Sequence, residues 1–360
     1  MTRRRIPVAV LGATGVVGQR FLSLLEGHPW FRVSELAASE RSAGKPYREA
    51  VRWLQSTPIP EEVQGLPVKR VGDDLDASLV FSALSSDVAG PAEEELAGRG
   101  HLVVSNAKNH RMDPRVPLLI PEVNPEHLEL LDRQPWGSGG IVTNPNCSTI
   151  GIALALKPLH DAFGVGALHV VTLQAVSGAG VPGVSSMEMV DNVIPFISGE
   201  EEKIEHETGK ILGVLQAEGV TAAQLRVSAQ CNRVPVLDGH LASVSVQLEA
   251  TRGPSEAEVM EALSGFRGRP QELELPTAPR SPIVVLDGEA DPQPRRHRDL
   301  GGGMSVSVGR LRPCPILGWR FVLLSHNTVR GAAGGAILCA ELAAAEGRVP
   351  GAPDSWPSGS

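Results

Sequence analysis

The sequence predicts an α/β protein: a doubly wound parallel sheet, Rossmann-like, followed by an α+β domain with a mostly antiparallel sheet. Three observations point there. A short apolar run near the N-terminus closes on a glycine triad and opens into a helix pattern. Strand and helix signals then alternate up to about residue 146, the order that builds a parallel sheet. Beyond Leu168 the texture changes to runs that alternate apolar and polar residues, as in a sheet with one covered face.

Ile6 to Ala13 reads as the first buried strand and Gly15 to Glu26 as the helix after it. Further strands are expected at Arg32 to Ala38, Ser78 to Leu84, His101 to Asn106 and Ile141 to Thr143. A helix is expected from Pro91 to Gly100. A long apolar helix pattern, Ile150 to Phe163, follows Asn144-Pro145-Asn146-Cys147-Ser148-Thr149. In the second domain the strand candidates are Leu168 to Val176, Leu241 to Glu249, Ile283 to Leu286, Met304 to Leu311 and Arg320 to Ser325. Helices Ile204 to Glu218 and Ser255 to Phe266 are expected to cover one side of that sheet. Gly288 to Gly303, with three glycines in a row, reads as a mobile loop. The Ala/Gly-rich pattern Val329 to Gly347 is expected to form a closely packed helix that returns to the first domain. The division is therefore 1–146 plus 329–350 for a nucleotide-binding domain and 147–328 for a catalytic and dimerisation domain. A Pro/Ser/Gly-rich tail at 351–360 is read as disordered.

Composition narrows the function. The 360 residues are 42% hydrophobic and 21% charged, with a formal charge of −8, so there is no basic footprint for nucleic acid. Arg3-Arg4-Arg5 reads as a solvated tail. No stretch is long and apolar enough to span a membrane. The four cysteines (Cys147, Cys231, Cys314 and Cys339) are widely spaced, with no zinc or disulfide pattern, and point to a reducing, cytoplasmic setting. With one Tyr, stacking on bases or sugars is a poor model.

Gly12-Ala13-Thr14-Gly15-Val16-Val17-Gly18 sits between strand and helix, where glycines permit a tight turn and close approach of a pyrophosphate to a helix N-terminus. The spacing is a variant of the usual dinucleotide fingerprint. After the second strand come Ser39, Glu40, Arg41, Ser42 and Lys45. Two hydroxyls and two cations suit the 2′-phosphate of NADP; Glu40 suits the ribose of NAD if the strand runs one residue longer.

Cys147 is expected at a helix start, where the dipole and free N–H groups favour a thiolate nucleophile. His240 follows an Asp-Gly turn and can move a proton near neutral pH. Arg233 can clamp a carboxylate or phosphate in two-pronged fashion. Gln174 leads into Ser177-Gly178-Ala179-Gly180, a flexible segment suited to lie over a flat cofactor ring.

Taken together, GATGVVG (Gly12 to Gly18), ERSAGK (Glu40 to Lys45), SNAKNHRM (Ser105 to Met112), PNCST (Pro145 to Thr149), LQAVSGAGVPG (Leu173 to Gly183), NVIPFISGEEEK (Asn192 to Lys203), NRVPVLDGH (Asn232 to His240) and HNTVRGAAGG (His326 to Gly335) resemble the aspartate-β-semialdehyde dehydrogenase family, in the branch common in archaea and fungi. The motifs span nearly the whole chain in the family's order. The resemblance implies Cys147 as nucleophile, His240 as general acid/base and Gln174 as the group orienting the acyl-enzyme. It implies Arg233 on the substrate α-carboxylate and Glu200 on its α-amino group. Arg111 and Lys203 would form the phosphate site, with Asn146 beside them. The run Glu200-Glu201-Glu202 serves equally as the anionic first turn of a helix. For NADP the resemblance implies Gly12, Thr14, Gly15, Val16, Val17, Ser39, Arg41, Ser42, Ser85, Asn106, Ser177, Gly178 and Asn327.

The implied reaction is NADPH-dependent reduction of aspartyl phosphate to aspartate semialdehyde and phosphate through a Cys147 thioester, with the oxyanion held by N–H groups at the helix start. Malonyl-CoA reductase resembles this branch and would need a nucleotide-sized entry. N-acetyl-γ-glutamyl-phosphate reductase has a different cysteine motif, and a catalytically silent NADP-binding protein has no use for the four chemical residues. The alternating sheet calls for a partner, so a homodimer or homotetramer is expected.

Overall fold

The structure, a computed structural model, describes residues 5–351. Arg3, Arg4 and the tail after Gly351 lie outside the described residues. Arg5 is not a free tail residue, because its guanidinium lies 3.5 Å from both the His28 carbonyl and Glu62.

The first sheet contains β1 (Ile6–Leu11), β2 (Phe31–Ala38), β3 (Val68–Arg70), β4 (Leu79–Ser82), β5 (Leu102–Ser105) and β6 (Gly140–Thr143), in the order β3-β2-β1-β4-β5-β6 with every pair parallel. Strands β1, β4, β5 and β6 are buried on both faces, which explains their apolar runs, whereas β2 and β3 toward one edge carry polar residues. Helix α1 (Val16–Leu25) packs Phe21, Leu22 and Leu25 on one face with Val8, Val10, Phe31 and Phe81. Helix α2 (Ser86–Gly98) puts Leu96 and Ala97 on the other, against Ala9, Val80 and Val103. Helix α2 begins five residues before the expected Pro91, which lies inside it. The first turn forms on the Ser85 carbonyl, which accepts from Val88 and Ala89, so packing overrides the proline signal.

Helix α3 (Cys147–Phe163) leaves β6 and is buried almost all round, joining the two domains. The second sheet comprises β7 (Val165–Gln174), β10 (Arg226–Arg233), β11 (His240–Leu248), β12 (Ile283–Leu286), β13 (Val306–Cys314) and β14 (Gly318–Ser325), in the order β10-β7-β11-β14-β13-β12. Its three inner pairings are antiparallel, but the two outer ones, β10–β7 and β12–β13, are parallel. The reason is connectivity: β7 reaches β10 through helix α4 (Glu200–Ile211), a crossover that sets strands parallel. Strand β10 is absent from the sequence reading, although Val227, Ala229 and Cys231 alternate with polar neighbours. Helices α3, α4 and α5 (Glu256–Gly265) cover one face of the sheet.

Three expected elements differ. Helix α4 starts four residues early and stops at Ile211; β8 (Val214–Gln216) and β9 (Gly219–Thr221) then form a hairpin. Gly213 lets the hairpin close against the helix end, since a Cβ on it would lie 2.5 Å from the Thr221 carbonyl oxygen. The segment 288–303 holds helical turns Pro294–His297 and Leu300–Gly303, and Arg298 donates to the Asp238 carbonyl at 3.2 Å. The last helix is split. A π-helical turn, Val329–Ala333, precedes α6 (Gly334–Ala345), whose Ile337, Leu338 and Leu342 join the core of the first domain. No helix among the described residues is long and apolar enough to cross a membrane.

Candidate active site

The site forms where three strand ends meet one helix start. Arg233 pairs with Gln174 across β10–β7, and Leu241 with Leu173 across β7–β11, so Gln174, Arg233 and His240 come to one end of three adjacent strands. All three are at least nine-tenths buried. They point toward the start of α3, capped by Asn146, whose side-chain oxygen accepts from the amides of Ser148 (2.9 Å) and Thr149 (3.2 Å). Because the Asn146 backbone carbonyl also takes the Ile150 amide, the expected oxyanion donors reduce to the amide of Cys147 itself.

Cys147 Sγ lies 3.3 Å from His240 Nε2. On the other side of the ring, Nδ1 accepts the Ala175 amide at 3.0 Å. The neutral imidazole therefore carries its proton on Nε2, facing the sulfur. Burial, followed by the charge of Arg233, holds His240 down at about 3. Burial also pushes the Cys147 thiol up to about 12, with Glu200 adding to it, while Arg111, Arg233 and Lys203 pull the other way. Burial of both groups thus works against the thiolate that the helix start favours, although Cys147 itself borders the cleft.

Glu200 is the hub of the polar groups. Its carboxylate accepts from Asn146 Nδ2 (2.9 and 3.1 Å), Lys203 Nζ (2.6 Å) and Gln174 Nε2 (3.3 Å). Burial pushes its carboxyl up, but Lys203 and these donors outweigh it and leave it below the usual range. Arg233 Nη1 donates to the Ala175 carbonyl at 2.8 Å, so Ala175 holds both Arg233 and His240. Gly178 covers the pair: a Cβ there would lie 2.9 Å from Arg233 Nη1 and 3.1 Å from His240 Cε1.

A cleft of about 330 Å³ runs past Cys147 to the glycine loop, lined by Val16, Val17, Asn106, Arg111, Asn146, Ser177, Gly178, Glu200, Lys203 and Asn327. Asn327 bridges Ser177 Oγ (2.8 Å) and the Gly239 amide (2.8 Å), tying the flexible segment to the turn before His240. Beside the glycine loop it is Ser86 that lines the cleft, not the expected Ser85, which is the residue before α2. Gly12, Thr14 and Gly15 form the turn beneath the cleft. Gly12 has φ +68°, and a Cβ on Gly18 would lie 2.2 Å from the Gly12 oxygen, so helix and strand meet only with glycine there. No side chain caps Gly15, and the first amides of α1 stay open to an anion. Strand β2 ends at Ala38, which puts Ser39 first and Glu40 second in the following turn, closed by Ser42 N donating to the Ser39 carbonyl at 2.9 Å. Arg41 is exposed and Ser42 buried; neither lines the cleft.

Sequence reasoning missed Lys108 in the cleft wall, Glu207 behind Arg111 and Gly331 behind Cys147. The seven-residue step from Glu200 to Glu207 on one helix was a usable signal; for Gly331 there was none.

The chain matches two family profiles, "Semialdehyde dehydrogenase, NAD binding domain" over residues 7–131 and "Semialdehyde dehydrogenase, dimerisation domain" over residues 156–330. It is 51% identical to the aspartate-semialdehyde dehydrogenase of Methanothermobacter thermautotrophicus, over 94% of this chain and 98% of that one. With the Schizosaccharomyces pombe enzyme of the same name it shares 47% identity over 94% and 98%. A crystal structure of aspartate semialdehyde dehydrogenase with NADP from Candida albicans superimposes with a TM-score of 0.89 at 43% identity, covering 96% of this chain and 100% of that chain.

Proposed function

This chain belongs to the aspartate-semialdehyde dehydrogenase family, and on that premise we propose how its residues share the work. The protein is an NADP-dependent oxidoreductase that converts L-aspartyl-4-phosphate to L-aspartate 4-semialdehyde and phosphate, reversibly, in amino-acid biosynthesis. The observation that carries the residue roles is the 3.3 Å approach of Cys147 Sγ to His240 Nε2 at the inner end of a cleft reached by the glycine loop.

Cys147 is the nucleophile, and its attack on the acyl carbon expels phosphate toward Arg111 and Lys203 and leaves a thioester. NADPH, when bound, supplies the hydride that reduces that thioester. Cys147 reacts as the thiolate, its proton released to solvent, and the His240 Nε2–H donates a hydrogen bond to the oxyanion that develops on the attacked carbon and to the sulfur as it leaves as thiolate, keeping its own proton. It cannot take up a second proton at Nδ1 without breaking the Ala175 bond. Gln174 orients the acyl group, Arg233 takes the α-carboxylate and Glu200 the α-amino group, its charge kept in place by Lys203. Asn146 holds Glu200 and caps the helix. Val16, Val17, Asn106, Ser177, Gly178 and Asn327 border the nicotinamide end, the Gly12–Gly15 turn meets the pyrophosphate, and Ser39, Arg41 and Ser42 meet the 2′-phosphate.

A homodimer, alone or paired into a tetramer, fits the surface. Leu173 on the open sheet face and Val181, Met187, Val190, Val193 and Phe196 on the segment after β7 are exposed and apolar. Sedimentation at micromolar concentration tests this, and a monomer contradicts it. The cell interior suits a reaction that draws on NADPH and needs Cys147 reduced.

The deciding assay is NADP reduction, followed by absorbance, with aspartate semialdehyde and phosphate against a phosphate-free control. Phosphate-dependent turnover that disappears in Cys147→Ser supports the assignment. Turnover in Cys147→Ser within about tenfold of the unmodified enzyme contradicts the nucleophile.

A further inference from the structure

One face of α4 carries Glu200, Lys203, Glu207 and Lys210, at steps of three, four and three residues. The first pair faces the substrate end of the cleft. The second pair reaches across to the first domain. Glu207 is 2% exposed, and its oxygens divide between two partners. Oε1 accepts from Arg111 Nη1 at 2.9 Å, and Oε2 accepts from the Asn146 amide at 2.7 Å. Arg111 Nη2 donates to the Asn106 carbonyl at 2.8 Å, so both ends of the guanidinium fork are held. Lys210 Nζ donates to the carbonyls of Arg111, Asp113 and Val116 at 2.6, 2.8 and 2.8 Å, fixing the chain on which Arg111 rides.

Resting on the functional reading above, we infer that Glu207 is a positioning residue for the phosphate-dependent half of the reaction: its carboxylate locks the Arg111 guanidinium to the backbone immediately before Cys147. Arginine recognises phosphate through a planar fork whose usefulness depends on its orientation. Arg111 stands on a loop of the first domain, whereas Cys147 begins the helix that leaves it for the second. One buried carboxylate touching both fixes the spacing between phosphate cation and nucleophile. A neutral glutamine has a single acceptor oxygen and can serve Arg111 or the Asn146 amide, not both. A carboxylate acting only as a counter-charge has the opposite effect, because its removal would free positive potential and tighten phosphate binding.

The test separates the two half-reactions in the full-length enzyme. Aspartate semialdehyde and NADP without phosphate give a burst of NADPH as the thioester forms; inorganic phosphate added afterwards releases it. In Glu207→Gln the burst rate per active site stays within about threefold, and the phosphate concentration that half-saturates release rises about tenfold or more, the size expected for losing a hydrogen bond to a charged group. In an Arg111→Lys background the same substitution adds less than about twofold, because Glu207 acts through Arg111. An unchanged or lowered phosphate requirement overturns the inference. So does equal slowing of burst and release, the mark of a general structural role. If Glu207→Gln gives no active sites, Glu207→Asp, which keeps the charge but is too short to reach both partners, must show the same split. Absence of any burst in the unmodified enzyme would overturn the functional reading beneath it instead.

Discussion

Cys147 Sγ stands 3.3 Å from His240 Nε2, and the far nitrogen of that imidazole is capped by the Ala175 amide at 3.0 Å. The proton of the neutral ring is therefore committed to the sulfur side. Burial holds His240 at about 3 and pushes Cys147 to about 12. Thioester formation from the aldehyde should then speed up steadily as pH rises through neutrality, because the thiolate fraction grows about tenfold per pH unit below its pKa. There should be no acid limb centred near the free-imidazole value of 6.5. Burst rates across roughly pH 5.5 to 9 check this; a limb at 6.5 that vanishes in His240→Ala would refute it.

The same shift has a sign for stability. The folded His240 binds its proton far more weakly than the free value of 6.5, and burial likewise holds His127 at about 4. Between those values the unfolded chain binds more protons. The contribution is fully present above pH 6.5 and is lost as pH falls toward 4 and then 3. Melting temperatures should drop from neutral to mildly acidic pH, and His240→Asn should flatten part of that slope. An unaltered slope would count against burial of the neutral ring.

Cys147→Ser should lower turnover by at least about a thousandfold while NADPH binding, followed by fluorescence, stays intact. His240→Ala should lower kcat by about a hundredfold or more and leave the KM for the aldehyde within a few-fold. An effect confined to KM would move His240 from chemistry to binding.

Gly331 presses on the nucleophile from the π-helical turn. A Cβ there would lie 2.8 Å from Cys147 Cβ, 2.9 Å from its Cα and 3.0 Å from its carbonyl oxygen. Gly331→Ala should cost about 1–3 kcal/mol of stability and at least about a hundredfold in kcat, since all three contacts are to Cys147 itself and two of them to its backbone. Chemical denaturation and the burst assay read the two effects separately. Near-normal turnover would show that the turn can shift away.

Arg330 and Glu122 form a fully buried two-pronged pair, with both contacts at 2.6 Å. Removing one charge strands the other, so Arg330→Met or Glu122→Gln should destabilise by about 3–5 kcal/mol. Replacing both by apolar residues should recover much of the loss. A double variant no more stable than either single one would argue against an uncompensated charge as the cause.

Arg41→Ala should raise the KM for NADPH about tenfold, consistent with losing one charge-assisted contact, and leave the KM for NADH unchanged. Equal changes for both cofactors would place Arg41 away from the 2′-phosphate.

Much of the first domain was legible because every strand of its sheet except β3 carries a local signal. Ile6–Leu11 and Leu102–Ser105 are short apolar runs, Phe31–Ala38 alternates apolar and polar residues before an apolar end, and the glycine triad marks the turn between strand and helix. Edges were less clear. Strand β3 has three residues, and β10 alternates small and polar side chains without a bulky apolar one. Pro91 suggested a helix start, yet burial of Ala89, Leu96 and Ala97 extends α2 through it.

The sequence by itself determined the chemistry on offer. Cys147 before an apolar helix, His240 after an Asp-Gly turn and Gln174 at a strand end are local features, because side-chain type and backbone propensity are written residue by residue. Tertiary structure alone decided what those groups are worth. The Ala175 amide selects the proton position on His240, burial opposes the expected ionisation of Cys147, and Glu207 and Gly331 arrive from distant segments to hold Arg111 and the nucleophile in place. Desolvation, hydrogen-bond direction and close contact depend on what surrounds a group in space, and those neighbours meet only when the two domains close on α3.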